Sequence, residues 1–384
     1  MRFEFATATK IIYGPGSLVE AGPAAQSMGR RALVVTGADA GRAQRLLDLL
    51  AAQKIETYLF QVTGEPTTQL ILQGLHVARE QRSDLIIGIG GGSALDAGKA
   101  ISALATNPGE MLDYLEVIGR GKAITEQPLP YMAIPTTAGT GTEVTRNAVI
   151  GSPENQVKVS LRSPLMLPNL ALVDPELTYD LPLEVTASTG LDALTQLIEP
   201  FVSVKANPIA DALAREGIRL AARALPALQR DLGDRSARDG MALASLLGGM
   251  AMANAALGGV HGFAGPLGGM FPIPHGVVCS RLLPIVMEAN LAAVEKRQAD
   301  GRTHARYQEI ARMLTGDALA QPMDGARWVQ NLVDQWGISN LGAYGIKREH
   351  IPEIVEKSAR ASSMKGNPIQ LTEAEMSAIL EQAL

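Results

Sequence analysis

The stretch Asp84-Leu-Ile-Ile-Gly-Ile89 runs directly into Gly90-Gly-Gly-Ser93-Ala-Leu-Asp96-Ala-Gly-Lys99. A short apolar run of this kind is typical of a strand buried in a parallel sheet, and the glycines predict a turn into a helix that continues to about Thr106. Glycines at such a junction let the backbone approach a ligand closely, and the helix N-terminus offers unpaired N–H groups to a phosphate. The spacing is not the strict dinucleotide fingerprint, because Ser93 stands where its third glycine belongs, and no Gly-Lys-Ser/Thr follows. The turn alone is therefore equally compatible with a structural role.

The segments around this stretch repeat the alternation of strand and helix. A strand or hairpin is predicted within 2–13, strands at 32–36, 57–62 and 129–134, and helices at 43–53 and 67–81. This alternation predicts βαβ units and a parallel sheet. The strand at 129–134 ends in a second loop, Pro135-Thr-Thr-Ala-Gly-Thr-Gly-Thr-Glu-Val-Thr145, which is rich in hydroxyl groups. Both loops follow strands, and ligands of open α/β sheets bind at that carboxyl edge.

The predicted secondary structure changes from mixed strands and helices to helices alone near Pro182. Short strands are predicted at 148–150, 157–159 and 171–173, after which helical periodicity dominates, at 208–225, 237–256, 304–313, 325–336, 351–361 and 372–384. At 384 residues the chain is long for a single core. We therefore expect an α/β nucleotide-binding domain with a parallel sheet over 1–181 and an all-helical metal-binding domain over 182–384.

A set of candidate metal ligands lies in the second half. Asp192 and Gln196 are four residues apart in an uninterrupted helical pattern, so both point from one helix face. His261 and His275 lie in glycine-rich segments, where we expect the backbone to be exposed. A carboxylate and two imidazoles are a plausible catalytic metal set, because three protein ligands leave a coordination position for a substrate oxygen. Each of these residues taken alone is more often structural than a ligand.

Composition excludes several classes of protein. The chain is 46% apolar and 19% charged, which is typical of a globular protein. Its net charge of −5 gives no indication of a basic surface that would bind nucleic acid. The single cysteine, Cys279, excludes an internal disulfide framework and, with no apolar leader at the N-terminus, predicts a cytoplasmic protein. The apolar segment 241–271 is crowded with Gly and Ala and ends in prolines, which favours a buried helix pair over a membrane span.

Four segments together resemble the iron-containing (group III) alcohol dehydrogenase family, over nearly the whole chain and in the family's order: 90–99, 134–145, 190–199, and 260–261 with 271–276. The resemblance implies a dehydroquinate-synthase-like fold, NAD or NADP, a divalent metal (Fe²⁺ or Zn²⁺), a small alcohol or carbonyl substrate, and a homo-oligomer, dimer or larger. By position it implies pyrophosphate contacts from Gly91, Gly92 and Ser93. The remaining cofactor contacts would come from Thr136, Thr137, Thr145, Lys158 and Leu177, with Asp96 beside the nicotinamide.

The chain also departs from the family pattern. Gln196 stands where the family usually has a histidine as fourth metal ligand, and Gly265 replaces a histidine implicated near the nicotinamide. An amide oxygen is a poorer ligand than imidazole for a borderline divalent ion. Related glycerol dehydrogenases are similar in using one Asp and two His on zinc. We therefore predict a metal held by Asp192, His261 and His275, with Gln196 in the fourth place.

The cofactor preference depends on the residue after the first strand of the nucleotide domain. Members that prefer NAD tend to place an aspartate there to bind the ribose 2′-hydroxyl, whereas this chain has Gly37, with Asp39 two residues further on. A carboxylate would repel a 2′-phosphate, so its absence leans toward NADP.

The predicted function is a metal-dependent oxidoreductase that transfers a hydride between NAD(P)(H) and a small alcohol, aldehyde or ketone, with Asp192, His261 and His275 as catalytic residues. A maleylacetate-reductase-like enzyme is an alternative, although that branch tends to carry asparagine in place of Asp192. A non-redox lyase or cyclase on the same scaffold would need basic residues near a phosphorylated substrate, and segments 186–200 and 255–280 contain no Lys or Arg. A nucleotide-binding homologue with impaired catalysis is the third alternative, because of Gln196 and Gly265.

Overall fold

The computed structural model of the protein describes residues 2–155, 157–297 and 301–384. The chain forms two compact units. The first is Thr7–Tyr179, and the second is Asp180–Leu384 together with the N-terminal residues up to Ala6.

The first unit is an α/β domain. Its helices are α1 (Ala21–Met28), α2 (Gln44–Ala52), α3 (Thr68–Glu80), α4 (Gly92–Thr106) and the short α5 (Met111–Tyr114). Its strands are β1 (Lys10–Tyr13), β2 (Arg31–Thr36), β3 (Glu56–Gln61), β4 (Leu85–Gly90), β5 (Tyr131–Pro135), β6 (Asn147–Ser152), β7 (Val157–Arg162) and β8 (Leu170–Val173). Within the described residues, six of these strands form a sheet in the order β1-β8-β5-β4-β2-β3, with every neighbouring pair parallel. Strands β6 and β7 form a separate antiparallel pair.

Both faces of the six-stranded sheet are buried. Successive side chains of a strand point to opposite faces, and along β2 the residues Leu33 and Val35 enter one hydrophobic core while Ala32 and Val34 enter the other. Helices α3 and α4 contribute to the first core, and α1 and α2 contribute to the second. Burial on both faces explains why the inner strands β2, β4, β5 and β8 are nearly continuous apolar runs in the sequence, whereas the edge strand β3 is not.

The strand order places a topological switch between β2 and β4. The chain runs from β2 to β3 on one side, and then returns past β2 to place β4 on the other side. Ligands of open α/β sheets bind at the carboxyl ends of strands where the order reverses in this way. The turn after β4, at Gly90 and Gly91, lies at this position, next to the end of β2 through the pairing of Thr36 with Ile89.

The second unit is helical. Its helices are α6 (Leu183–Val202), α7 (Pro208–Arg230), α8 (Arg235–Ala255), α9 (Gly259–Met270), α10 (His275–Arg297), α11 (Arg302–Thr315), α12 (Pro322–Gln335), α13 (Ile351–Ala359) and α14 (Glu373–Ala383). Helix α6 is at the centre of the packing, since every residue from Gly190 to Val202 is buried. A helix buried on all sides leaves no solvent to any polar group it carries, so Asp192, Gln196 and Glu199 must find partners inside the protein.

The fold class predicted from the sequence is confirmed, and most predicted elements are present within a few residues. The predicted pair of helices at 241–271 corresponds to α8 and α9, whose axes differ by 97°. A strand or hairpin over residues 2–13 is wrong for most of its length, because only Lys10–Tyr13 forms a strand. Helix α1 was not anticipated.

The expectation of exposed backbone around the two histidines is wrong, because both lie on helices. His261 lies on α9, and His275 is the first residue of α10, which extends to Arg297. Helix α10 carries buried residues around most of its circumference and contains Pro284, so the 3.6-residue periodicity that reveals a surface helix is weak. By length and composition alone α10 could span a membrane, but 72% of its most apolar window is buried inside the protein, as in a core helix.

Candidate functional site

The turn after β4 is built so that only glycine fits its first position. Gly90 has φ 155°, and a Cβ atom there would lie 2.8 Å from the Cβ of Ala94 and 3.2 Å from the backbone nitrogen of Gly37. Gly91 is the N-cap of α4, and Gly92 and Ser93 begin its first turn. The first N–H groups of a helix have no partner within the helix, and the helix dipole there favours an anion.

The second loop lies directly against this turn. The backbone N–H of Thr136 donates to the Gly90 carbonyl at 2.9 Å. A Cβ atom at Gly91 would lie 3.5 Å from Cγ2 of Thr137, and one at Gly92 would lie only 2.6 Å from Cγ2 of Thr140. The structure thus brings the predicted residues Gly91, Gly92, Thr136 and Thr137 together at one end of the sheet.

A buried lysine shapes the rest of the second loop. The Nζ atom of Lys99 donates to the Thr142 carbonyl at 2.6 Å, to Oγ1 of Thr142 and Thr145 at 2.9 and 3.0 Å, and to the Asn147 carbonyl at 2.9 Å. Burial lowers the pKa of Lys99 to about 8 and raises the pKa of the neighbouring Glu143 to about 7. Thr145, one of the predicted cofactor residues, therefore accepts a hydrogen bond from Lys99, and this bond holds the loop to α4.

Three other predicted cofactor residues contact different parts of the first unit. The Asp96 carboxylate accepts hydrogen bonds from the Thr142 hydroxyl and from the Val149 backbone N–H. Lys158 forms an ion pair with Glu65 at 3.2 Å. The Leu177 carbonyl accepts a hydrogen bond from the Arg42 guanidinium at 2.7 Å.

In the second unit, α6 carries a polar face inside the core. Asp192, Gln196 and Glu199 follow one another at spacings of four and three residues, so they lie along one side of the helix. The Gln196 amide Nε2 donates to Oδ2 of Asp192 at 2.8 Å. Since an ionised carboxylate only accepts hydrogen bonds, this contact fixes which end of the amide faces Asp192.

Four side chains converge next to this face. The donor atoms of Asp192, His261, His275 and Cys279 all lie within 4.8 Å of one another. Oδ1 of Asp192 lies 3.6 Å from Nε2 of His261 and 3.7 Å from Nε2 of His275. The structure thus brings together three of the four predicted metal ligands and adds a thiol, while the fourth, Gln196, is hydrogen-bonded to Asp192.

Glu199 orients one of the two imidazoles. Its Oε2 atom lies 2.6 Å from Nδ1 of His261, and its Oε1 atom accepts the backbone N–H of Val260 at 2.6 Å. Because the carboxylate is an acceptor, Nδ1 carries the proton of this contact and the lone pair of a neutral ring lies on Nε2, which faces Asp192. Metal-binding histidines are usually held by this kind of contact.

The donor set fits a divalent cation. Among the described residues, Oδ1 of Asp192 is a buried carboxylate oxygen with no hydrogen-bond partner. Burial opposes ionisation of Asp192, but His275, His261 and the Gln196 amide outweigh it and lower the pKa of Asp192 to about 2. A buried anionic oxygen without a partner is costly, and a cation between Oδ1 and the two Nε2 atoms would remove that cost. The His275 side chain is 35% exposed, so the cluster is open to small molecules on that side.

Two residues of this site were missed by the sequence analysis. Glu199 lies seven residues after Asp192, which is the same helix face, and Cys279 lies four residues after His275. Those spacings were available in the sequence, but the second has meaning only when residues after His275 are known to be helical. Burial raises the pKa of the Cys279 thiol to about 12, which argues against a free nucleophilic thiolate.

A glycine turn suited to a phosphate at the switch point of a parallel sheet, and a cluster of side chains that could hold a metal in a helical unit, are typical of a metal-dependent nucleotide-linked enzyme. Comparison with known proteins specifies the family. Residues 8–175 match the family model described as iron-containing alcohol dehydrogenase, and residues 186–384 match that of the C-terminal domain of the Fe-containing alcohol dehydrogenase family. The chain belongs to the iron-containing alcohol dehydrogenase family.

Individual relatives are similar over their full length. The chain is 37% identical to alcohol dehydrogenase 4 of Saccharomyces cerevisiae, covering 97% of this chain and 96% of that protein. Among solved structures, a 1,3-propanediol oxidoreductase superposes with a TM-score of 0.91 at 34% identity and covers all of both chains. Sulfoacetaldehyde reductase from Bifidobacterium kashiwanohense, solved with NAD⁺, superposes with a TM-score of 0.88 at 28% identity, covering 100% of this chain and 99% of that one.

These similarities confirm the predicted fold and class of reaction. The protein is a metal-dependent oxidoreductase that acts on alcohols with a nicotinamide cofactor. The family membership favours dehydrogenase chemistry over the alternative of a non-redox lyase.

Proposed function

We propose that Asp192, His261 and His275 hold the catalytic divalent metal, and that the enzyme interconverts small alcohols with aldehydes or ketones using NADP(H). The observation that carries this proposal is the convergence of two imidazole Nε2 atoms on the unpartnered Oδ1 of Asp192. A divalent metal bound there supplies Lewis-acid polarisation of the carbonyl oxygen and lowers the pKa of the bound alcohol.

The protein residues hold this site in place. Gln196 donates to Oδ2 of Asp192 and so directs Oδ1 toward the imidazoles. Glu199 keeps the proton of His261 on Nδ1. The partial exposure of His275 marks the side from which the substrate oxygen would approach. Positioning of the substrate next to the nicotinamide would then account for a large share of the rate, as in other hydride transfers.

The cofactor pyrophosphate would bind at Gly91, Gly92 and Ser93, where the N-terminus of α4 and the absence of side chains at two positions favour a phosphate. We propose NADP as the preferred form. Position 37, at the end of β2, has no carboxylate, and Oδ1 of Asp39 already accepts a hydrogen bond from the Gly41 N–H at 3.0 Å. The remaining predicted contacts, Asp96 beside the nicotinamide and Thr136, Thr137, Thr145, Lys158 and Leu177 elsewhere, are part of the same proposal.

Gly265 lies where the family carries a histidine near the nicotinamide, so it affects how a proton would leave the substrate alcohol. A Cβ atom at this position would meet no other atom within 4 Å among the described residues. The position where the family carries a histidine therefore has open space around it, and we propose that the proton moves through water or a ribose hydroxyl.

The proposed assembly and compartment follow from the family and from composition. We propose a cytoplasmic homo-oligomer, dimer or larger, whose partner molecules are the small alcohol or carbonyl substrate rather than nucleic acid or a membrane. Size-exclusion chromatography with light scattering checks the first part directly.

The enzyme assay that tests this proposal uses a panel of small aldehydes and ketones with NADPH and NADH. Metal-loaded wild-type protein should oxidise the cofactor, and Asp192→Asn, which keeps the shape of the side chain but removes its charge, should lose metal and turnover together. Metal-loaded protein that binds cofactor but turns over no substrate in the panel would instead support the catalytically impaired homologue.

A further inference from the structure

The single cysteine of the chain lies in the candidate metal site. Sγ of Cys279 is 3.5 Å from Nε2 of His275 and 3.8 Å from Nε2 of His261. Cys279 and His275 are one helical turn apart on α10, so both side chains project from the same face. The thiol is fully buried, with an exposed fraction of 0%.

Four of the six distances between the donor atoms are close to those of a tetrahedral site, and all six are at most 4.8 Å. Zinc bonds of about 2.0–2.3 Å at tetrahedral angles place neighbouring donor atoms roughly 3.3–3.6 Å apart. The four distances between the nitrogen atoms and their oxygen and sulfur neighbours are 3.5, 3.6, 3.7 and 3.8 Å. These four distances are within a few tenths of an ångström of the values expected when the atoms surround one cation.

An independent observation points to a cation among these atoms. Asp192 is 2% exposed, and among the described residues its Oδ1 atom has no hydrogen-bond partner. Gln196, the residue at the usual fourth ligand position, donates its amide to the other oxygen of Asp192. Gln196 thus holds the carboxylate through Nε2, while its Oε1 atom, like Oδ1 of Asp192, is buried with no hydrogen-bond partner among the described residues. We favour the thiol as the fourth ligand because zinc prefers a thiolate to an amide oxygen.

We propose that the thiolate of Cys279 is the fourth protein ligand of the metal, in place of the histidine that is missing at position 196. The substrate oxygen would then bind as a fifth ligand, a coordination number that catalytic zinc sites can reach. This inference rests on the proposed function, since it names a further ligand for the same metal. On binding, the Cys279 thiol releases its proton to solvent and its sulfur forms the bond to the cation. A thiolate is a soft ligand, so the Asp-His-His-Cys set favours zinc over iron.

The direct test uses spectroscopy of the full-length protein loaded with Co²⁺ or Zn²⁺ under reducing conditions. The cobalt protein should show a thiolate-to-metal charge-transfer band in the near ultraviolet, and X-ray absorption of the zinc protein should show a sulfur neighbour at about 2.3 Å. Because Cys279 is the only cysteine, any thiolate signal comes from it. Bound metal surrounded only by nitrogen and oxygen would overturn the inference.

Two variants complete the test. Cys279→Ser should lose the charge-transfer band and bind zinc more weakly. Loss of a residue that only supports a ligand lowers metal affinity roughly 10–100-fold, so loss of a ligand should cost at least as much. The matched control Gln196→Ala removes the side chain at the usual fourth ligand position and should keep the band. The spectra of the wild-type protein carry the main test and do not depend on how the variants fold.

The outcomes separate this inference from the proposed function. Metal bound without sulfur, together with chelator-sensitive turnover of alcohols, would remove Cys279 as a ligand and leave the proposed function in place. Failure of the protein to bind Zn²⁺ or Co²⁺ at all, with turnover unaffected by chelation, would overturn both.

Discussion

Oε2 of Glu199 lies 2.6 Å from Nδ1 of His261, and both side chains are almost completely buried. The other oxygen of Glu199 accepts the N–H of Val260 in the first turn of α9, where the helix dipole also stabilises a negative charge. One carboxylate therefore determines both the position of the helix that carries His261 and the tautomer of the imidazole. This links the packing of α6 to the chemistry of the candidate metal site.

The first prediction tests this positioning role. Glu199→Gln keeps an oxygen that can accept the Val260 N–H. An amide can also donate a hydrogen bond, so the His261 proton is no longer restricted to Nδ1. When the proton moves to Nε2, that atom has no lone pair for the metal. We expect zinc affinity to fall about 10–100-fold, measured by competition with a chromophoric chelator. The thermal unfolding of metal-free protein serves as the control and should change little. Unchanged zinc affinity would show that Glu199 does not orient the ligand.

The second prediction concerns the choice between NADP and NAD. A Cβ atom added at Gly37 would meet no other atom within 4 Å among the described residues, so Gly37→Asp can place a carboxylate at the end of β2. We expect the ratio of kcat/KM with NADPH to that with NADH to fall by about tenfold or more, because the carboxylate repels the 2′-phosphate and accepts the 2′-hydroxyl. Gly37→Ala, which adds a Cβ without charge, should leave the ratio nearly unchanged. Equal effects of the two substitutions would contradict the placement of the ribose.

The third prediction separates two neighbouring glycines. A Cβ at Gly91 would make an ordinary contact of 3.5 Å with Thr137, whereas a Cβ at Gly92 would come within 2.6 Å of Thr140. Gly92→Ala should lower the free energy of unfolding by about 1–3 kcal/mol. Gly91→Ala should cost less than about 1 kcal/mol as an N-cap change, yet raise the KM for NADPH. Chemical denaturation and steady-state kinetics measure the two effects, and an unaltered KM in Gly91→Ala would argue against a pyrophosphate at this turn.

The fourth prediction concerns pH and the second loop. Burial raises the pKa of Glu143 from 4.5 to about 7, so the folded protein keeps this carboxyl protonated at pH values where the unfolded chain ionises it. The resulting stabilisation is complete below pH 4.5 and is lost as the pH rises toward 7, a change of up to about 3 kcal/mol. Glu143→Gln cannot ionise, so its stability relative to wild type should rise over this interval in denaturant titrations. Parallel pH profiles for the two proteins would contradict the raised pKa.

The sequence was most informative where structure is determined locally. The apolar run at 84–89 followed by three glycines predicted β4, the turn and α4, because a buried parallel strand and a glycine junction each have a short-range signature. The separate β6–β7 pair and the long-range contacts of Lys99 have no such signature. They depend on where α4 lies relative to a loop more than forty residues later in the chain.

In the candidate metal site, too, some residues could be predicted from the sequence and others could not. Asp192, His261 and His275 were predicted from the chemistry of their side chains and from the resemblance, and the structure brings their donor atoms together. Cys279 was recognised only as an isolated thiol, because α10 is buried too evenly to be visible as a helix in the sequence. Without that helix, its spacing of four from His275 carried no information. Gln196 was predicted as the residue in the fourth place, and its contact with Asp192 could not be read from spacing alone.

The most direct measurement is the metal content of freshly purified protein, paired with NADPH and NADH oxidation before and after chelation and again after metal is returned. The account predicts stoichiometric divalent metal, loss of turnover on chelation, and recovery when Zn²⁺ or Fe²⁺ is added. Undiminished turnover by metal-free protein would contradict it, because the carbonyl would then be activated by groups other than a metal held by Asp192, His261 and His275.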